Sequence, residues 1–139
     1  MKGIRNKSIL VVDDNVGMLR ALEKVLISEG AIVACAEWAG DAVDILTQRQ
    51  KPIDLVITDL RMPMVTGVTL VDAIHKIFPT LPVIVLTAFS GPDVKALCYE
   101  QGAAAVLEKP LDSKQLLAAI ESALEASPAD ATANTSKHP

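Results

Sequence analysis

Leu55-Val56-Ile57-Thr58 is a short apolar run that ends on Asp59 and opens into the turn-rich stretch Leu60-Arg61-Met62-Pro63-Met64-Val65-Thr66-Gly67. Three other runs share this form. Ile9-Leu10-Val11-Val12 ends at Asp13-Asp14, Val83-Ile84-Val85-Leu86 at Thr87, and Ala105-Val106-Leu107-Glu108 at Lys109-Pro110. Apolar runs this short, rich in β-branched residues and separated by helix-length stretches, read as parallel strands buried on both faces. In such a sheet, ligands bind in the crevice beyond the carboxyl ends of the strands. Four strands would therefore deliver three carboxylates, a hydroxyl and an ammonium to one crevice.

The intervening sequence completes a strand–helix alternation repeated five times. Asn15 is a good cap for a first helix whose apolar positions Met18, Leu22, Val25 and Leu26 share one face, and Gly30 suits its end. Ala31–Ala36 reads as the second strand and Ala39–Gln48 as the second helix, with Val43, Ile45 and Leu46 apolar. The third strand is expected at Asp54–Thr58, and the third helix carries Leu70, Val71, Ile74, Ile77 and Phe78. Gly91-Pro92 opens the least apolar helix, through about Gln101, with proline suited to its first turn. The fifth strand follows Gly102, and the last helix runs from about Ser113 to Ala126, burying Leu116, Leu117, Ile120, Ala123 and Leu124. The fold class is α/β: one parallel sheet wound with helices on both faces through right-handed crossovers.

A chain of 139 residues suits a single domain large enough to bury a core without staples. With half its residues hydrophobic and only four aromatic, that core is aliphatic. The net charge of −4, with no basic run, argues against direct nucleic-acid binding and against an anionic membrane surface. Cys35 and Cys98 lack metal-ligand spacing and read as reduced thiols of a cytoplasmic protein rather than a disulfide. No secretory signal or membrane span is legible. Residues 127–139 lack apolar periodicity and read as a disordered tail or the start of a linker.

The aspartates set the chemistry. Two carboxylates about 5 Å apart, at an effective dielectric near 20, repel by roughly 3 kcal/mol. A hard divalent cation with oxygen ligands relieves that repulsion, and Mg²⁺ typically takes one or two carboxylates plus waters and phosphate oxygens. Taken alone, Asp13 and Asp14 could equally be turn or capping residues; Asp59 in their company favours the metal. A carboxylate on a rigid strand end beside a metal can attack phosphorus and form an aspartyl phosphate. Thr87 and Lys109 would each be ordinary in isolation, as a strand threonine and a solvated lysine. Together with the carboxylates they offer a hydroxyl and a point charge to phosphoryl oxygens.

Asp13-Asp14, Asp59-Leu60-Arg61-Met62-Pro63 through Gly67, Thr87-Ala88 and Lys109-Pro110, in this order and spacing, resemble the receiver domain of two-component response regulators. The resemblance covers about residues 6–126. It implies a flavodoxin-like (βα)5 domain with a doubly wound five-stranded sheet. It also implies phosphoryl transfer to Asp59 from a sensor histidine kinase or a histidine phosphotransfer protein. Mg²⁺, with Mn²⁺ as a substitute, would be held by Asp13, Asp14, Asp59 and the backbone carbonyl of Arg61. Thr87 would bond the phosphoryl group and swing inward, and Lys109 would pair with it. The Lys109-Pro110 bond would be cis, an isomer that proline makes accessible. The added charge would alter the face of the fourth helix, fifth strand and fifth helix, where an effector protein or a second copy would dock.

One position departs from the family. Receivers often carry Tyr or Phe three residues before the lysine, where this chain has Val106. Phosphoryl transfer is untouched by that change, but the aromatic half of the switch is absent or replaced, with Phe89 and Tyr99 as conceivable substitutes. Arg61 and Phe89 stand two residues beyond the acceptor and the threonine, where the resemblance implies that they flank the path of the hydrolytic water. His75 has no phosphotransfer-like surroundings and reads as structural or solvent-facing, and Trp38 as packing near the crevice rim.

Other readings are a metal-dependent phosphohydrolase and a receiver that binds partners without phosphorylation. A dehalogenase-type phosphohydrolase wants an acid–base aspartate two residues after the nucleophile, where Arg61 stands. The acceptor reading treats the domain as a signalling module, not an enzyme with turnover. A stand-alone receiver is the preferred architecture, with the receiver segment of a longer regulator or hybrid kinase as the alternative.

Overall fold

The computed structural model describes residues 3–48, 52–60, 67–88, 91–109 and 112–126. Strands β1 (Ser8–Val12), β2 (Ile32–Ala36), β3 (Leu55–Asp59), β4 (Val83–Thr87) and β5 (Ala105–Glu108) alternate with helices α1 (Val16–Ser28), α2 (Ala39–Gln48), α3 (Gly67–Ile77), α4 (Pro92–Glu100) and α5 (Ser113–Ala126). All pairings are parallel, in the order β2-β1-β3-β4-β5. Strand order reverses between β1 and β3, and that switch point is where a doubly wound sheet opens its binding crevice.

Alternation along the strands sends side chains to two cores. Ile9, Val11, Leu55, Ile57, Ile84 and Leu86 pack with Leu19, Leu22 and Leu26 of α1 and with Leu116, Ile120 and Leu124 of α5. Leu10, Val12, Val56, Val83 and Val85 face the opposite way, onto α2, α3 and α4. Because both faces of β1, β3 and β4 are covered, these strands read as continuous apolar runs rather than as alternating ones.

The element boundaries follow local chemistry. The Asn15 side chain accepts the Met18 N–H at 3.0 Å and caps α1, and Gly30, at φ +93°, makes the turn after it. The α1 core face contains Leu19, while Val25 is only half-buried. In α2 the buried residues are the small Ala39 and Ala42, with Val43, Ile45 and Leu46 half-buried around them. Strand β3 lies one residue later than the sequence suggested, so Asp59 is its last residue. Asp54 stays outside the strand, where its carboxylate accepts the Ser8 N–H at 2.8 Å. Arg61, Phe89, Pro110 and the tail lie outside the described residues, so the expectations placed on them rest on sequence. Cys35 is a half-buried and Cys98 a buried free thiol. No described helix is long and apolar enough to cross a membrane.

Candidate functional site

The sheet's hydrogen-bond ladder continues one residue past several strands and so fixes the position just beyond each of them. Asp13 donates its N–H to Ala36 at 3.0 Å, Leu60 to Leu86 at 2.8 Å, and Lys109 to Thr87 at 2.7 Å. Val12 is in register with Thr58, so Asp13 and Asp59 emerge side by side across the switch point. Carboxylate oxygens of Asp13, Asp14 and Asp59 all lie within 4.8 Å of one another. Asp13 and Asp59 are buried, at 1% and 8% exposure, and Asp14 is exposed. Thr87, also buried at 2%, ends the neighbouring strand.

Lys109 reaches into this group. Its Nζ donates to Asp59 Oδ1 at 2.9 Å and lies 3.5 Å from Asp13 Oδ2. Burial pulls the ammonium down, but the hydrogen bond to Asp59 and the charges of Asp13 and Asp59 outweigh it, so Lys109 titrates above its ordinary value. The Asp13 carboxyl is pushed up from its ordinary 3.8 by burial, against the Asn15 N–H and the charge of Lys109, with Asp59 adding to the rise.

Asp13 Oδ1 accepts the Asn15 N–H at 2.9 Å, whereas Oδ2 is buried without a hydrogen-bond partner among the described residues. Its contact with Lys109 is the longer of that lysine's two ion pairs. Among the described residues, three carboxylates around one ammonium leave two formal negative charges, and one buried oxygen has no hydrogen-bond donor. A divalent cation with oxygen ligands fits that donor set.

The structure thus brings together Asp13, Asp14, Asp59, Thr87 and Lys109, the five positions singled out in the sequence. Val106 lies on β5, an edge strand, where its N–H donates to the Tyr99 hydroxyl of α4 at 3.3 Å. Trp38 is half-exposed, with its ring over Gly40. The contribution of Asn15 to the site was missed in the sequence: beyond capping α1, its backbone N–H orients Asp13. The signal for it was an aspartate two residues before a helix cap, the pattern of an Asx-turn.

A family model described as the response regulator receiver domain matches residues 9–121. Transcriptional regulatory protein GlrR of Escherichia coli K12 is 42% identical over 120 residues, covering 86% of this chain and 26% of that protein. DNA-binding transcriptional regulator NtrC of Proteus hauseri is 38% identical over 117 residues, 84% of this chain and 24% of that one. The chain thus spans about a quarter of the length of these relatives. Among solved structures, a response regulator receiver domain from Clostridium thermocellum superposes with a TM-score of 0.81 at 34% identity, covering 86% of this chain and 94% of that one. The NtrX receiver domain of Brucella abortus gives 0.79 at 30% identity, covering 86% and 99%. With the sheet order, the acidic crevice and these relatives in agreement, the chain belongs to the response regulator receiver domains of two-component signal transduction.

Proposed function

We propose that Asp59 is the phosphoryl acceptor of this receiver, charged by a sensor histidine kinase or a histidine phosphotransfer protein. One observation carries the reading: the Asp59 carboxylate sits on a ladder-fixed strand end, between the Lys109 ammonium at 2.9 Å and the carboxylates of Asp13 and Asp14. In the transfer, an Asp59 oxygen bonds to phosphorus as the donor's nitrogen–phosphorus bond breaks, and the bonding pair returns to the imidazole. Asp13, Asp14, Asp59 and the Arg61 backbone carbonyl would hold Mg²⁺, or Mn²⁺ in its place, which supplies positive charge to the phosphoryl oxygens. Asn15 holds Asp13 Oδ1, which leaves Oδ2 for the crevice. Lys109 exchanges its carboxylate partner for one phosphoryl oxygen, and the Thr87 hydroxyl donates to another.

The domain acts as a signalling module whose only chemistry is its own phosphorylation and dephosphorylation. Its variable face is α4, β5 and α5, where an effector or a second copy docks. Two features support that choice: Cys98 is the buried residue of α4, and the helix meets β5 through the Tyr99–Val106 bond and a surface Lys95–Glu108 pair at 3.9 Å. An element held this lightly moves at low cost. Tyr99 supplies beside Val106 the aromatic ring that β5 itself lacks. Arg61 and Phe89 shield the phosphoryl group from water; unchanged lifetimes in Arg61→Ala and Phe89→Ala would remove them from that role.

The length of the relatives supports a second arrangement, in which this receiver is the input segment of a longer transcriptional regulator. With a net charge of −4, the receiver itself repels DNA phosphates, so any DNA contact would belong to another segment. The cytoplasm is the compartment that fits a partner of a kinase's phosphotransfer histidine and two free thiols.

The test is the intact mass of the parent and of Asp59→Asn after incubation with Mg²⁺ and a small-molecule phosphodonor. The parent gains one phosphoryl group, and neither the variant nor EDTA-treated parent does. Absence of both adduct and phosphate release in the parent would replace this reading with a phosphorylation-independent receiver.

A further inference from the structure

At the end of the sheet away from the carboxylates, a cavity of about 360 Å³ opens between the end of α3, the approach to β4, and α5. Among the described residues that line it, His75 is the ionisable one. Both of its ring nitrogens face backbone carbonyls: Nδ1 lies 3.1 Å from Gln101 O and Nε2 lies 3.1 Å from Leu81 O. A carbonyl oxygen can only accept. A neutral imidazole carries one N–H and one lone pair, so it satisfies one carbonyl and turns its lone pair toward the other. Only the imidazolium donates to both.

The ring is also held in place. Gly102, at φ +110°, packs so closely that a Cβ there would overlap the imidazole. Gln101 is the residue that ends α4, and Leu81 lies two residues before β4. The histidine therefore joins three elements through two bonds that one protonation state can make together.

We propose that His75 is a protonation-dependent clamp, which fastens α3 to the turn ending α4 and to the approach to β4, and gives up one of the two when it loses its proton. Histidine is the side chain that ordinarily changes charge between about pH 5 and 8. Among the described residues, no other charge competes in the cavity lining: Leu81 and Pro82 face it before β4, Gly102, Ala104 and Ala105 around β5, and Ala119, Ser122 and Ala123 from α5. On its own helix, Asp72 and Lys76 are paired with each other at 3.1 Å and open to solvent. The clamp thus holds both carbonyls only while both ring nitrogens carry protons, and it acts on the C-terminal end of α4.

Thermal unfolding of the parent and His75→Gln at pH 5.5 and pH 8 reads this directly, since the amide does not titrate in that range. The parent's advantage in Tm is larger at pH 5.5 than at pH 8, by about 3–6 °C. An equal gap at both values overturns the clamp. Nitrogen NMR of the parent gives a reading that does not depend on the variant's folding. At pH 6, both His75 ring N–H protons give slowly exchanging signals, each coupled across its hydrogen bond to a backbone carbonyl. A single such signal overturns it.

Discussion

The two ends of the sheet solve opposite problems. At the carboxyl ends, Asp13, Asp14 and Asp59 crowd around the Lys109 ammonium, and a buried Asp13 oxygen has no hydrogen-bond partner among the described residues. At the amino ends, the polar groups close on one another: His75 meets two carbonyls, and Asp54 takes the Ser8 N–H. The first end carries an excess of negative charge among the described residues that a divalent cation would offset. The second holds elements together through side-chain contacts with the backbone. Charge left uncompensated at one end, against side-chain bonds to the backbone at the other, separates the candidate site of this fold from its structural part.

Gly102→Ala should break the amino end of the sheet most severely. The position needs a φ of +110°, and the added Cβ collides with the His75 ring. A loss of about 3 kcal/mol in urea unfolding is expected. Undiminished stability would mean that the turn and the ring relax freely, and the contrast between the two ends would weaken.

At the carboxyl end of the sheet, Lys109→Met should cost about 2 kcal/mol in the metal-free protein, because two buried carboxylates lose their cation. The pair is partly solvated, which keeps the figure below that of a fully buried bridge. Lys109 titrates above its unfolded value, so its contribution is complete below about pH 10.5 and is lost as pH rises through the folded value. The gap between parent and variant should therefore hold from pH 7 to 9 and close on the alkaline side.

Asp13→Asn should have the opposite sign, raising metal-free stability by about 1 kcal/mol. Burial raises the Asp13 pKa, so its ionised form destabilises the fold at neutral pH, and the penalty lifts as pH falls through the folded value. Parent and variant stabilities should converge on the acid side. Adding Mg²⁺ should raise the Tm of the parent and leave that of the variant nearly unchanged. A variant less stable than the parent without metal would show that the Lys109 contact outweighs burial.

The smallest effect belongs to Asn15→Ala, about 0.5–1 kcal/mol from the lost cap on α1. Its backbone N–H still holds Asp13, so phosphoryl uptake should persist. Loss of uptake would move Asn15 from support into the site itself.

Much of the fold was legible because β1, β3 and β4 are buried on both faces and read as unbroken apolar runs. The α2 and α5 boundaries expected from the sequence match the structure. The β3 boundary slipped by one residue because Asp54 is spent on a neighbouring strand's N–H, which periodicity cannot register. Leu19 was overlooked for Val25 on α1, since two adjacent stripes fit the same helical period and packing chooses between them. The five crevice residues were legible because each stands at the end of a strand or just beyond it. His75 was read as structural or solvent-facing. Its two carbonyl partners come from segments 6 and 26 residues away, a juxtaposition that no local pattern encodes.

By itself, the sequence determined the order of strands and helices and the identities of the groups at the strand ends. Both depend on residue type and spacing, which are properties of neighbours along the chain. Tertiary structure decided that Asp13 and Asp59 stand side by side, and that Lys109 hydrogen-bonds Asp59 while reaching the Asp13 oxygen only at 3.5 Å. It also decided that Tyr99 meets the edge of β5 and that both His75 nitrogens face carbonyls. Those relations depend on strand order and register across the sheet, and a distance of 2.9 Å between residues 50 apart is set only when the core closes.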